Sequence, residues 1–460
     1  MIVEISNKVR FLNPTEELKE WCENNLTIDN PEYSKKVRMG FWVGNTPKKL
    51  SLYEVVNGSY VLPYGVLTLM DKGWYANNIV IDNFAEHDRV EFEHDIPLYS
   101  YQEKAVQKMY LEGMGILQSQ AGSGKTQMGI ALAAMIGKPT LWLCHTLDLV
   151  KQSRKRAEQY IDKSLIGEIS GGKVEIGKLF TFATVQTMSN LDLNQYKDMW
   201  EVIIVDECHR VSGSPTSLTM YSKVLNSLAA MHKYGLSATV HRSDGMILGT
   251  YALLGNVRYE VPDEEIADKV VSVAIQPVET EYRITSDALD TDGMIIHSKL
   301  INSLCANEVR TELIAEYICK NADKSCLILS DRLNHLESLV NLLPKEMRDK
   351  AVLINGKSKK ADREKAIEDM KSGEKNYLFA SYSLAKEGLD IPRLERLFLT
   401  TPQKDYAVIT QAIGRVARVF EGKDDPIAYD FVDNDNYFIR MYKARCRVYY
   451  KNNCEILGGE

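Results

Sequence analysis

From about residue 98 onward, short runs of β-branched and other apolar residues alternate with longer, helix-like stretches. The runs fall at 115–118, 140–144, 178–183, 202–205 and 234–237, and after a gap at 325–330, 351–354, 377–380, 396–400 and 427–431. Runs of four to six residues that are apolar throughout mark strands buried on both faces. The helical stretches between them supply the crossovers that parallel strands require. Two such blocks predict two α/β domains in tandem, joined by a connector over 257–285. Residues 1–95 lack this alternation and are rich in turn signals (Asn13-Pro14, Asn30-Pro31, Asn57-Gly58), which predicts a small α+β accessory domain. The expected division is 1–95, 96–272 and 273–460.

Composition narrows the picture only a little. The 460 residues are 45% hydrophobic and 26% charged, as in ordinary globular chains, and this excludes collagen-like and disordered classes. The eight cysteines include no CxxC pair and no histidine at ligand spacing, so they read as reduced thiols rather than a zinc or iron–sulfur centre. The N-terminus lacks the layout of a secretory signal, and no run of about 18 apolar residues occurs. A cytoplasmic protein without membrane partners is expected, a monomer in the first instance, with oligomeric state open.

The net charge of −7 argues against a nucleic-acid sponge but leaves room for a local groove. Residues 1–95 carry −5 of it, and six acidic residues crowd into 82–95. Against that trend, Lys35, Lys36, Arg38, Lys48 and Lys49 are interleaved with Tyr33, Phe41 and Trp42. This stretch reads equally as a duplex contact or as ordinary surface.

The segment SQAGSGKT, 119–126, follows the run 115–118 and opens an alanine-rich helical stretch. A strand, a glycine loop and a helix N-terminus gather backbone N–H groups around one point, an anion cradle reinforced by the helix dipole. Gly122 and Gly124, with Ala121 and Ser123, let the backbone approach phosphates. Lys125 brings a positive charge to the β- and γ-phosphates, and Thr126 a hydroxyl to Mg²⁺. Ser119 stands where the general phosphate-loop pattern has its first glycine. The second half of the site is VIIVDECHR, 202–210, an apolar strand with an acidic pair at its end. In open α/β sheets ligands bind outside the carboxyl ends of the strands. Asp206 is placed to hold Mg²⁺ and Glu207 to polarise an attacking water, with His209 sensing the γ-phosphate.

With these residues in order, the chain resembles a superfamily 2 helicase. Gln102, 23 residues before Lys125, matches the glutamine that reads adenine. SQAGSGKT resembles motif I, LCHTLDLVKQ (143–152) motif Ia, FATVQTM (182–188) motif Ib and DECH motif II. LSAT (236–239) resembles motif III, ILSDR (328–332) motif IV, SYSLAKEGLDIP (381–392) motif V and QAIGRVAR (411–418) motif VI. The resemblance implies two RecA-like parallel-sheet domains with ATP and Mg²⁺ held between them. It implies that Arg415 and Arg418 act as arginine fingers on the transition-state charge, with Gln411 of the same motif in the catalytic set; the i, i+3 spacing of the arginines predicts one helix face for both. It further implies that Gly388 and Asp390 couple nucleotide to nucleic acid, and that Ser237 and Thr239 link the domains. Within the superfamily, Ser237–Gly245, NPEY (30–33) and LPYG (62–65) resemble the DNA repair and recombination helicases, UvsW-like phage helicases and XPB among them. Val240 stands where a proline is usual.

Such motors grip phosphates rather than base edges. The resemblance puts Thr146, Thr187 and Ser381 on the nucleic-acid groove. The basic run Lys151, Arg154, Lys155 and Arg156 is either a phosphate contact or a solvated face. The expected activity is an ATP-dependent DNA helicase or branch-migrating translocase acting on single-stranded, forked or branched DNA, with RNA open. The alternatives are an ATP-gated nucleic-acid clamp that does not unwind, and a motor subunit of a restriction or defence assembly.

Overall fold

A computed structural model describes the chain except residues 72, 73, 75–77, 121, 213–218, 241–244, 267–270, 357, 387, 388, 459 and 460. It divides into two compact units, residues 1–119 with 124–262, and 120–123 with 263–460.

The first unit contains two sheets. The N-terminal one has the order Glu54–Val56, Ser59–Pro63, Lys8–Leu12, Ile2–Ile5, Ile79–Asp82, antiparallel except for its last pair. Val3, Phe11 and Leu62 from its strands and Leu18 and Cys22 from the helix Glu16–Asn25 form its core, all fully buried. That core also takes in Met114 and Ala252 from the following region, so residues 1–95 and the first parallel sheet share apolar surface. Gly65 permits the close approach: a Cβ there would lie 2.4 Å from the Gly255 nitrogen. Tyr64 Oη donates to the Met231 carbonyl at 3.0 Å across the same seam.

The second sheet of this unit has eight strands, ordered Lys173–Glu175, Ile166–Ser170, Phe180–Thr184, Thr140–Cys144, Val202–Asp206, His232–Ser237, Gly115–Gln118, Val257–Glu260. Only the pair at Lys173–Glu175 is antiparallel. The central strands bury every residue of Thr140–Cys144, Phe180–Thr184 and Val202–Asp206. Their uninterrupted apolar runs follow from that two-sided burial, which contributes about 1.5–3 kcal/mol for each large aliphatic side chain.

The second unit is built on seven strands, all parallel, ordered Ala351–Ile354, Tyr377–Ser381, Cys326–Ser330, Arg396–Leu399, Ile427–Asp433, Ala274–Thr280, Glu455–Ile456. Two ion pairs lie inside it, Arg310 with Asp433 and Arg445 with Asp430. The architecture is the mixed α/β one expected, with parallel sheets. The stretch 257–285 is not a bare connector, however. Val257–Glu260 closes the edge of the first parallel sheet, and Ala274–Thr280 pairs inside the second. Polar residues such as Gln276 and Glu279 break the apolar run there, so periodicity alone does not reveal that strand. Among the described residues no helix is long and apolar enough to cross a membrane.

Candidate nucleotide site

The sequence motifs of the first unit meet along one edge of its sheet. Gln118, Cys144, Thr184, Asp206 and Ser237 each end a parallel strand. The loops leaving those ends therefore collect on one side, as open α/β sheets arrange their ligand sites. The strand ending in Ser237 lies between the strand that feeds the glycine loop and the strand ending in Asp206.

The loop turns on Gly122 and Gly124, at φ +90° and +81°. L-residues rarely adopt such values, so glycine is required there. Gly124 is the N-cap of the helix Lys125–Ile136 and offers no side-chain acceptor. The helices Leu147–Ala157, Val185–Asn190 and Tyr406–Val416 are instead capped by Thr146, Thr184 and Asp405. A helix N-terminus built without a side-chain cap suits an anion. Gln102, 4% exposed, lies over the turn, where a Cβ on Gly124 would come within 2.4 Å of its Nε2. Its Oε1 accepts from the Tyr99 nitrogen at 2.9 Å, which fixes the amide. Lys125 Nζ donates to the Ser119 carbonyl at 3.1 Å, and Ser123 Oγ to the Gln120 carbonyl at 2.7 Å. Ala121 lies outside the described residues.

Asp206 is 5% exposed. Burial raises its pKa, the neighbouring Glu207 charge raises it further, and the Lys125 ammonium acts in the opposite sense. The Lys125 charge thus reaches the acidic pair, 81 residues on in sequence. Ser153 Oγ donates to Asp206 Oδ2 at 3.4 Å. This contact was not expected, because a lone serine mid-helix carries no sequence signal. Glu207 is held at φ +51°, ψ +50°, a left-handed geometry that disfavours a side chain by about 1–2 kcal/mol. His209 Nδ1 stands 3.2 Å from both Glu207 Oε2 and Ser237 Oγ. Ser237 Oγ donates to the Thr239 carbonyl at 2.5 Å. Motifs II and III are therefore joined through His209 and Ser237.

A buried carboxylate with a lysine charge beside it, a second acid next in sequence and an uncapped helix N-terminus fit a triphosphate and a hard divalent cation. Asp206 and Thr126 would hold that cation, and it would neutralise phosphate charge.

In the second unit, Gln411 and Arg415 lie on the helix Tyr406–Val416. Gln411 is 7% exposed, and among the described residues its buried Oε1 has no hydrogen-bond partner, which suits a group awaiting a ligand. The expectation of one helix face for both arginines is corrected: the helix stops at Val416, before Arg418. Lys423 Nζ, donating to the Val416 and Arg418 carbonyls, secures that turn. Both arginines engage motif V, by different routes. Arg415 donates to the Ala385 and Leu389 carbonyls at 2.9 and 3.2 Å. Arg418 pairs with Asp390, which also lies 3.6 Å from Lys371 Nζ. Gly388 lies outside the described residues, as does the 241–244 part of the motif III extension.

Of the residues assigned to nucleic acid, Thr146 and Thr187 follow neighbouring strands of the first unit, whose loops are joined by Gln186 Nε2 donating to the His145 carbonyl at 2.7 Å, and Ser381 ends a strand of the second unit. Thr146 Oγ1 caps its helix by accepting from the Leu149 nitrogen at 3.4 Å. Thr187 Oγ1 accepts from Thr184 Oγ1 at 2.9 Å. Ser381 Oγ lies 2.8 Å from Ser383 Oγ. Of the basic run after motif Ia, Arg154 is taken up at 2.8 Å by both Glu158 and Glu168, which removes it from the open face.

Known families match stretches of both units. Residues 95–242 match the family described as type III restriction enzyme, res subunit, and residues 309–420 match the helicase conserved C-terminal domain. The chain thus matches these two modules in that order and resembles superfamily 2 helicases of the XPB and phage types. It is 24% identical to the protein named probable helicase D10 of Escherichia phage T5, over 98% of this chain and 95% of that one. It is also 24% identical to the DNA 3'-5' helicase XPB of Mycobacterium tuberculosis, over 80% of this chain and 66% of that one. In fold it is similar to Saccharomyces cerevisiae Dbp5 bound to RNA and ADP BeF3, with a TM-score of 0.54 and 16% identity over 78% of this chain and 88% of that one. Helicases of this kind hydrolyse ATP and bind nucleic acid.

Proposed function

We propose that the protein is an ATP-dependent DNA translocase that couples ATP hydrolysis to duplex unwinding or branch migration. The observation that carries this reading is the meeting of the glycine loop, Lys125, the buried Asp206 and the half-buried Glu207 at one edge of a parallel sheet. In the proposal, the backbone of 121–126 and Lys125 bind the triphosphate, and Gln102 positions the base. Thr126 and Asp206 hold Mg²⁺, and Glu207 orients the attacking water. Gln411, Arg415 and Arg418 complete the set by offsetting charge on the transferring phosphoryl group. Gly388 and Asp390 of motif V, with Ser237 and Thr239 of motif III, transmit the state of the nucleotide. Thr146, Thr187 and Ser381 meet the phosphates of the tracked strand, which makes binding salt-dependent and indifferent to sequence. The similarity to XPB, named a DNA 3'-5' helicase, favours DNA over RNA.

ATPase stimulation compared across single-stranded DNA, forked DNA, Holliday junctions and RNA tests the reading. Stimulation by a DNA structure, with displaced strand from the fork, is expected. Stimulation without displaced strand leaves the clamp, and stimulation by RNA alone overturns the substrate. Arg418→Ala should lower turnover far more than ATP affinity; an equal loss in both would make it a ground-state contact.

A further inference from the structure

The segment 30–49 of the first unit is built as a closed loop. Asn30, 6% exposed, donates from Nδ2 to the Pro47 carbonyl at 2.8 Å, and its backbone nitrogen donates to the Lys48 carbonyl at 3.0 Å. The strands Thr27–Asp29 and Lys49–Ser51 pair just outside that clasp. Inside it, Lys36 Nζ reaches Thr46 Oγ1 and Glu32 Oε1, each at 2.7 Å. The helix Pro31–Arg38 is capped by Asn30 yet buries none of its residues.

This scaffold displays apolar groups rather than covering them. Val37, Met39 and Phe41 are 55%, 53% and 62% exposed, and Trp42 is 88% exposed. The indole is nevertheless held in place. A Cβ on Gly44, which sits at φ +51°, would come within 3.0 Å of the six-membered ring, so one face of Trp42 rests on the bare glycine backbone. Charge is equally one-sided: residues 33–49 contain five Lys/Arg and no Asp or Glu, in a chain of net charge −7. A clustered apolar display of this kind marks a binding surface. Cations beside an aromatic platform fit a polyanion that also offers π-faces.

We infer that the loop 30–49 engages the end of a nucleic-acid duplex, with the first unpaired base stacked on Trp42 and the adjoining phosphates on Lys35, Arg38, Lys48 and Lys49. Phe41 and Met39 then form an apolar wedge beside the stacked base, of the kind that unstacks neighbouring pairs. The inference rests on the proposed motor function and gives that motor its strand-separating element.

The test uses the full chain with Trp42→Ala and Trp42→Phe. Loss of one stacked base weakens binding by roughly tenfold or more. Trp42→Ala should therefore bind and unwind a forked duplex about tenfold less well. ATPase at saturating single-stranded DNA and the melting midpoint should stay at the wild-type level, and Trp42→Phe should recover most of the loss. Wild-type unwinding by Trp42→Ala overturns the inference and leaves the motor reading intact. An equal fall in single-strand-stimulated ATPase, or a lowered midpoint, also overturns it, because the side chain would then serve catalysis or the fold. Anionic vesicles bound through Trp42, with forks indifferent to the substitution, would replace nucleic acid by a lipid surface. A wild-type protein that hydrolyses ATP in response to no nucleic acid fails at the earlier step and removes both readings.

Discussion

The carboxyl ends of the two parallel sheets handle charge in opposite ways. In the first unit, Asp206 ends its strand almost fully buried, with burial and the Glu207 charge both working against its ionisation, and Glu207 itself stands in left-handed backbone. In the second, acids at the corresponding end of the sheet are matched by arginines. Asp433 takes Arg310, and Asp430 accepts from Arg445 Nε and Nη2 at 2.7 and 2.8 Å and from Tyr449 Oη at 2.6 Å. A matched buried network fixes shape and asks for nothing more. A desolvated acid whose ionisation is disfavoured carries a cost that a charged ligand would offset. On the proposed function, chemistry belongs to the first edge, and the buried pairs of the second serve as support.

The sharpest break of that contrast is Lys125→Ala. If the first edge is the reacting one, removal of its cation should reduce nucleic-acid-stimulated ATPase by about 10²–10³-fold, while circular dichroism and the melting midpoint stay unchanged. Turnover at the wild-type level would move the site elsewhere. The supporting edge predicts the reverse pattern. Arg445 is 2% exposed, so Arg445→Met leaves Asp430 buried without its cation and should destabilise the protein by about 3–5 kcal/mol. Converting Asp430 to Leu and Tyr449 to Phe as well should restore most of that stability in urea titrations. Failure of the triple variant to recover would mean that the network does more than hold shape.

Gly124→Ala probes the first edge more gently. The new methyl group meets Gln102 Nε2 at a φ that opposes any side chain, so the loop must shift or Gln102 must leave. The expected result is a KM for ATP raised about tenfold, about 1.4 kcal/mol, with kcat less affected. An unchanged KM would show that Gln102 and the turn do not shape nucleotide binding.

The buried strands and the glycine loop were legible because each carries a local signature: an apolar run, or glycines where φ must be positive. The nine motifs also appeared in order. The parts that stayed hidden depend on partners distant in sequence. The strand Ala274–Thr280 is half polar and is recognisable only by its seven-residue pairing with Ile427–Asp433. Arg418 reads as a helix-face residue until Lys423 is seen closing the helix end. Arg154 reads as a free cation until Glu168 arrives from the neighbouring strand. Ser153 touches Asp206 across 53 residues, and nothing at either position announces it.

Lys233 makes the finest distinction, since it is a charge mismatch inside the first unit yet away from the site. It lies 1% exposed in the strand His232–Ser237, where Nζ donates to the Leu225 carbonyl at 2.7 Å and sits 5.5 Å from the centre of the Tyr64 ring. Burial lowers its pKa from 10.5 to about 7. Between those values the unfolded chain binds a proton that the folded chain does not, so this residue makes stability rise with pH across that window, by up to about 1.4 kcal/mol per unit. Buried thiols act in the opposite sense. Cys144 and Cys208 are pushed up by burial, so the unfolded chain releases their protons first and stability falls as pH passes the ordinary thiol range. The difference between wild type and Lys233→Met isolates the lysine. The substituted protein should gain most at pH 7 and progressively less towards pH 10, as read from urea midpoints of the first unfolding transition. A gain independent of pH would mean that Lys233 is charged in the fold, held by Leu225 and Tyr64, and that the contrast between matched and mismatched charge does not extend beyond the sheet's edge.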